Sequence, residues 1–161
     1  VKPYHIRVSA GNIAELIAGY DVIVDAADNF STKFLINDAC VLAGKPYIYG
    51  GALRFEGQLM TYVPGRGPCY RCIFRDMPAA GEVPSCKEAG VLGSMQAVEA
   101  VKLILGVGKP LTARLMTFDA LAMTCRAVPL PEREPDCPVC GEHPTITTLD
   151  PARYIQPACG V

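Results

Sequence analysis

Apolar residues recur along the chain with two different periods. Ile13, Leu16 and Ile17 carry helical spacing closed by Gly19, which predicts a short helix over residues 12–18. The run Asp21-Val-Ile-Val-Asp25 that follows is continuous and β-branched, the pattern of a parallel strand buried on both faces. Ser31 offers an N-cap, Phe34, Leu35, Ala39 and Leu42 return to helical spacing, and Gly44 ends the segment. Lys45-Pro46 breaks the chain before Tyr47-Ile-Tyr49, a second strand. Residues 21–49 therefore read as a strand, helix, strand unit with a right-handed crossover, and the fold class is α/β.

The pattern then changes. Gly50-Gly51 punctuates, and residues 52–63 read as short antiparallel strands turned around Glu56-Gly57. Pro64-Gly65-Arg66-Gly67-Pro68 is a tight loop that delivers Cys69 and Cys72. Residues 76–85 are rich in Pro, Gly and Ala without periodicity, so a flexible crossover is expected at about 75–88. Leu92, Met95, Val98, Val101, Lys102 and Leu105 form a stripe at helical spacing that stops at Gly106, predicting a helix over 91–105. Residues 114–118 and 122–128 alternate as two further strands around Asp119-Ala-Leu121, before a Pro-rich stretch brings in Cys137 and Cys140. There is no internal repeat.

Composition narrows the function classes. With 161 residues, 50% of them hydrophobic, the chain has enough apolar side chain for one ordinary core and one domain. A net charge of −1 gives no broad positive surface, so nucleic acid is not an expected partner. No apolar run approaches the roughly 20 residues of a membrane span, and residues 1–10 lack the order of a signal peptide. A soluble cytoplasmic protein without membrane attachment is expected. The sequence opens on Val1, not Met, and reads as a piece of a longer chain. Eight cysteines in a chain with its own core, two pairs of them spaced as CxxC, point to metal binding in a reducing compartment, not to a disulfide framework.

Three places carry candidate chemistry. Cys69-Tyr-Arg-Cys72 and Cys137-Pro-Val-Cys140 are two knuckles whose four thiolates fill a tetrahedral zinc shell and leave no position for water, so the site is structural. The rival reading is a redox CxxC, which is usually single and opens a helix. Asp28-Asn29 follows the carboxyl end of the first strand, the edge where open α/β sheets bind ligands. A nucleotide with magnesium suits it, since a hard cation takes carboxylate oxygen and the next helix offers N–H groups to phosphate; a plain helix cap is the alternative. Cys86, beside Lys87 and ahead of the helix over 91–105, has the setting of a low-pKa nucleophile, against an ordinary loop thiol. Cys40 and Cys125 read as buried hydrophobes.

The order of several motifs adds a resemblance. Asp25-Ala-Ala-Asp28-Asn29, Leu35-Ile-Asn37-Asp38-Ala39-Cys40, Gly50-Gly-Ala-Leu-Arg54-Phe-Glu-Gly-Gln58, Pro68-Cys-Tyr-Arg-Cys72, Cys86-Lys-Glu-Ala-Gly90-Val and Asp136-Cys-Pro-Val-Cys-Gly141 resemble the ThiF/MoeB/HesA family, prokaryotic relatives of ubiquitin-activating E1 enzymes. The match runs from about residue 20 to 148. It implies a Rossmann-like E1 adenylation fold with a mixed sheet, antiparallel strands and a structural zinc site. It also implies an ATP- and Mg2+-dependent adenylyltransferase that activates the C-terminal Gly-Gly of a ubiquitin-fold sulfur-carrier protein for thiamine, molybdenum-cofactor or other sulfur chemistry. The family's magnesium–ATP aspartate carries over to Asp28 with Asn29 beside it, the zinc ligands to Cys69, Cys72, Cys137 and Cys140, and a cysteine that in some members bonds covalently to the carrier to Cys86.

One departure qualifies the resemblance. The family's Gly-rich nucleotide loop and its phosphate-binding Arg, Gln and Lys have no counterpart here, so residues 1–161 read as the C-terminal part of an adenylyltransferase domain, expected to be inactive alone. The alternative is a zinc-braced carrier-binding or dimerisation scaffold without its own chemistry. A dinucleotide-dependent oxidoreductase lacks its G-x-G-x-x-G fingerprint. The family's usual homodimer is expected, with Leu53, Phe55 and Met60 as contributors; a sulfurtransferase is a candidate donor, and residues 151–161, without a rhodanese-like domain, leave the donor unspecified.

Overall fold

The structure, a computed structural model, describes residues 1–78 and 90–155. In chain order they form α1 (Ile13–Ala18), β1 (Ile23–Val24), α2 (Phe30–Leu42), β2 (Tyr47–Leu53), β3 (Glu56–Tyr62), α3 (Tyr70–Ile73), α4 (Gly90–Leu105), β4 (Arg114–Asp119), β5 (Thr124–Pro129) and a 3-10 turn (Pro151–Tyr154). The five strands make one sheet in the order β1-β2-β3-β4-β5. β1 and β2 pair in parallel, with Ile23 opposite Tyr47, and every later pair is antiparallel. The α/β class with a mixed sheet is as the sequence predicts.

Alternation along the central strands sorts the core into two layers. Tyr47 and Tyr49 of β2 and Met60 and Tyr62 of β3 face one side, where they pack with Ile13, Ile17, Phe34, Leu35 and the cysteine knuckles. Ile48 and Leu59 face the other side, against Leu92 of α4 and Met116 of β4. The register requires this split, since Tyr47 stands opposite Tyr62 and Ile48 opposite Thr61.

Several expectations are corrected. Gly50 and Gly51 do not punctuate but lie inside β2. A Cβ on Gly50 would stand 2.5 Å from Nε2 of Gln96, so glycine here lets α4 approach the sheet. The hairpin turns at Arg54-Phe55 instead of Glu56-Gly57: Leu53 pairs with Glu56, and Arg54 takes φ +54°. The cap of α2 is Asn29, not Ser31; its Oδ1 accepts the N–H of Thr32 at 2.9 Å and the hydroxyl of Ser31 at 2.8 Å. The amide reaches the first turn where the Ser31 side chain sits already within the helix. β1 has two residues and Val24 is 45% exposed, so the described residues do not cover both of its faces.

The helix over 91–105 forms, but its predicted stripe faces inward only at Leu92 and Met95 and outward from Val98 on. Val98, Val101 and Leu105 are 58%, 50% and 65% exposed, while Leu92, Gln96 and Glu99 are buried. Two polar residues decide the orientation. Gln96 Nε2 donates to the carbonyl oxygens of Asp25 (2.7 Å) and Ile48 (3.3 Å), and Glu99 accepts from the Thr61 hydroxyl (2.7 Å) and the Leu111 N–H (2.8 Å). Turned outward, the helix would take these partners from the Asp25 carbonyl, the Thr61 hydroxyl and the Leu111 N–H, while the Ile48 carbonyl would keep the Asp25 N–H at 2.9 Å. Cys125 is exposed, on the edge strand β5, while Cys40 is buried as expected. Met60 is 1% exposed and belongs to the core, so it offers no surface for a dimer; Phe55, at a hairpin tip, is 49% exposed, and nothing is described of the Leu53 side chain. No described helix is long and apolar enough to cross a membrane.

Candidate functional site

The two knuckles meet. Cys69 is the N-cap residue of α3 and Cys72 lies within it, while Cys137 and Cys140 come from a turn that closes on the Gly141 N–H to Cys137 O bond at 3.0 Å. A Cβ on Gly141 would stand 2.5 Å from the carbonyl oxygens of both Cys137 and Pro135, so that turn accepts only glycine. All four sulfurs lie within 4.8 Å of one another. The Sγ–Sγ distances are 3.9 Å for Cys69–Cys72, 3.6 Å for Cys69–Cys137 and 3.4 Å for Cys72–Cys140. Four sulfurs about 2.3 Å from a tetrahedral zinc stand about 3.8 Å apart, so the cluster is compatible with zinc. Four thiolates so close cannot all be charged without a cation: hydrogen bonding to Cys137 raises the pKa of Cys69 and of Cys140, while Cys137, as their partner, is pulled down.

What holds the first knuckle in place is α2. Asn37 Oδ1 accepts the Tyr70 N–H at 2.9 Å, satisfying a first-turn donor of α3. Asp38 accepts from Arg71 Nε and Nη2, both at 2.7 Å, from Asn37 Nδ2 at 2.9 Å, and from the Tyr154 hydroxyl at 2.8 Å. Its carboxylate is fully buried, and four donors replace its water. The Arg71 guanidinium also lies 4.6 Å from the Phe34 ring centroid. Asn37 and Asp38 thus join α2, the knuckle and the 3-10 turn Pro151–Tyr154. The second knuckle is tied by Arg75 Nη2 to Asp136, at 2.9 and 3.1 Å. Cys40, one turn further along α2, is no ligand; burial first, then the nearby Asp25, pushes its thiol up to about 12.

Beyond the carboxyl end of β1 opens a cavity of about 480 Å³. Asp28, Asn29, Phe30 and Lys33 line it from the turn and first turns of α2, Tyr49 and Gly51 from β2, Glu56 and Gln58 from β3, and Thr117, Asp119, Thr124 and Arg126 from β4 and β5. Asp28 is exposed, and the hydrogen bond described for its carboxylate comes from Asn29 Nδ2 at 3.2 Å, which leaves lone pairs for a cation. Tyr70 and Phe74 line the same cavity, so the knuckle forms one of its walls. The predicted Asp28 and Asn29 and the four cysteines are therefore brought to adjoining parts of one site. Cys86, and most of the crossover at 75–88, lie outside the described residues.

The sequence reading passed over a buried ion pair beside Asp28. Lys33 Nζ donates to Asp25 Oδ2 at 3.1 Å and to the Gly50 carbonyl at 2.5 Å, and lies 4.9 Å from the Tyr49 ring centroid. The other oxygen of Asp25 accepts the Ala27 N–H at 2.8 Å. Burial raises the Asp25 carboxyl above its usual range, against the opposing pull of Lys33 and Ala27. The pair joins the residue just after β1 to one a turn into α2, and burial of both, which the eight-residue spacing does not reveal, is what marks it.

Comparison with known proteins places this arrangement. The ThiF family model matches residues 1–139. The sulfur carrier protein adenylyltransferase of Thermus thermophilus is 45% identical over 157 residues, 90% of this chain and 58% of that protein. The SAMP-activating enzyme E1 of Haloferax volcanii is 48% identical over 168 residues, 100% of this chain and 61% of that protein. The chain thus spans about three fifths of the length of these curated relatives. Among solved structures, E. coli MccB superposes with a TM-score of 0.69 at 21% identity, over 84% of this chain and 43% of that one, which supports the E1-like fold alone. On the family match and the architecture together, the chain belongs to the ThiF family.

Proposed function

We propose that this chain is part of an ATP-dependent adenylyltransferase that activates the C-terminal Gly-Gly carboxylate of a ubiquitin-fold sulfur-carrier protein. The observation that carries this reading is the cavity beyond β1, with Asp28 and Asn29 at its edge and the cysteine knuckle as a wall. An extended peptide end fits such a cleft, and an exposed carboxylate beside a helix N-terminus suits a nucleotide phosphate with its cation. In the reaction a carboxylate oxygen of the carrier attacks the α-phosphorus, the bond to pyrophosphate breaks, and pyrophosphate leaves with the electron pair. Magnesium bound with ATP would offset charge on the phosphates, with Asp28 as its protein ligand.

The remaining assignments belong to the same reading. Zinc is the metal of the four cysteines, residues 1–161 are the later part of the adenylation domain, and the setting is the cytoplasm. Cys86 is the covalent acceptor for the carrier after activation, the partner assembly is a homodimer, and a sulfurtransferase supplies the sulfur for thiamine or molybdenum-cofactor synthesis. In support, the Thermus thermophilus relative is named a sulfur carrier protein adenylyltransferase, and bovine MOCS3, 46% identical over 91% of this chain and 34% of its own length, is named an adenylyltransferase and sulfurtransferase.

The test is exchange of labelled pyrophosphate into ATP by the full-length protein given a Gly-Gly-ended carrier. Asp28→Ala is expected to abolish it, and normal exchange by that variant would remove Asp28 from the chemistry. A second reading, a carrier-binding scaffold without chemistry, is favoured by Phe55, Leu121 and Met123. These are 49%, 76% and 77% exposed on two hairpin tips joined by the Ala120 N–H to Phe55 O bond at 2.8 Å. Carrier binding that is indifferent to nucleotide would support the scaffold.

A further inference from the structure

The cavity has two cations on its lining, Lys33 and Arg126, and they differ in kind. Arg126 lies on the fully exposed strand β5. Lys33 is 5% exposed and held from two sides, by the Asp25 carboxylate and the Gly50 carbonyl. An ammonium has three N–H donors. Asp25 and Gly50 take two; the third has no described hydrogen-bond acceptor, only the Tyr49 ring 4.9 Å away on the same wall, and is open to an anion in the cavity that Lys33 lines. A lysine so fixed meets an anion without the ordering cost that a flexible surface lysine carries.

Its chemistry favours one anion over another. With the Asp25 carboxylate already paired to it, the ammonium has one donor to offer, which suits a single carboxylate better than a triphosphate. The polyphosphate and its cation have a different place, at the exposed Asp28 on the edge. The N-terminus of α2 lies on the same wall, with Asn29 and Phe30 both lining the cavity, and its dipole adds to the attraction for a negative group.

We propose that Lys33 is the residue that recognises the free terminal carboxylate of the acyl substrate, with Asp25 and Gly50 as its positioning partners. This rests on the adenylylation reading for the identity of the substrate, but not for the carboxylate preference itself. Lys33 donates to the oxygen that stays behind as the acyl carbonyl, while the other oxygen attacks phosphorus; no proton is gained or lost. The device disfavours a substrate that ends in an amide, because the amide oxygen can accept the same hydrogen bond only as a neutral acceptor, without the charge that strengthens the bond from the ammonium to a carboxylate.

The experiment measures binding of a synthetic hexapeptide ending in Gly-Gly, as free acid and as C-terminal amide, to the full-length protein. The wild type is expected to prefer the acid by about five- to tenfold, the difference between a charge-assisted and a neutral hydrogen bond. Lys33→Met should bring the ratio to about one, and Lys33→Arg should keep part of the preference. Because Lys33→Met strands Asp25, the double variant Asp25→Asn with Lys33→Met serves as a balanced pair; it should fold with near wild-type Tm and also lack the preference. A lysine that only braces the turn would alter Tm and leave the acid-to-amide ratio intact. The inference is overturned if Lys33→Met or the double variant keeps the ratio, if the wild type shows none, or if Lys33→Met weakens ATP binding and not the acid preference. Absence of pyrophosphate exchange in a wild type that still prefers the acid would sink the adenylylation reading and leave Lys33 in its role.

Discussion

The two faces of the sheet are covered by helices that are attached in opposite ways. On the α2 face, apolar side chains and a dense polar anchor coincide: Asn37 and Asp38 bind the first knuckle while Phe34 and Leu35, on the same helix, fill the core. On the α4 face the attachment is by Leu92 together with Gln96 and Glu99, and the helix turns Val98, Val101 and Leu105 outward. The first face resembles a clamp closed by buried charge and by four cysteines gathered where a metal would fit. The second is a helix oriented by two hydrogen-bonding side chains that outrank its apolar stripe. Apolar periodicity therefore identifies a helix more surely than it identifies the side that faces inward, wherever strand ends and loops present backbone groups that need partners.

The largest expected effect comes from breaking the clamp. Chelation of the metal, or Cys137→Ser, withdraws binding free energy that for structural zinc is on the order of 10 kcal/mol. Hydrogen exchange is then expected to rise first over residues 64–78 and 129–146, with β3, β4 and α4 protected longer. Uniform loss of protection would mean that the two faces are not separable, and no change at all would mean that the cysteines hold no structural metal. Next comes Asp38→Ala, which leaves Arg71 buried without its carboxylate and frees Tyr154. Urea denaturation should show a loss of about 3–5 kcal/mol, and a cost under 1 kcal/mol would reduce the anchor to an ornament of the metal site. The smallest effect is expected on the other face: Val98→Lys should shift stability by no more than about 0.5 kcal/mol. A larger loss in the isolated protein would return Val98 to the core and undo the contrast.

Legibility followed the range of the forces involved. The strand, helix, strand unit at residues 21–49 and the helix starting near residue 90 were readable because capping, glycine stops and periodicity act within one or two turns of chain. Gly50-Gly51 was misread as a break because the reason for glycine there is Gln96, 46 positions away, whose side chain occupies the space a Cβ would fill. Cys125 was misread as core because alternation in β5 says nothing about whether a strand ends up at the edge of the sheet. In the site, Asp28, Asn29 and the four cysteines were visible as residue types at telling spacings. Asp25 and Lys33 were not, since a lone acid and a lone base eight residues apart are ordinary on a surface and become informative only when both are buried.

By itself the sequence determined the α/β class, the pairing of two CxxC knuckles as one candidate metal centre, and the acidic turn after the first strand. Each depends on chemistry that local spacing already carries: two thiolates in a tight turn, or a carboxylate beside a helix start. Only the tertiary structure decided that Asn37 and Asp38 hold the knuckle, that α4 faces inward with Gln96 and Glu99, and that Lys33 is fixed at the cavity wall. Those outcomes depend on which buried polar groups must find partners, and partners distant in sequence are chosen when the layers pack.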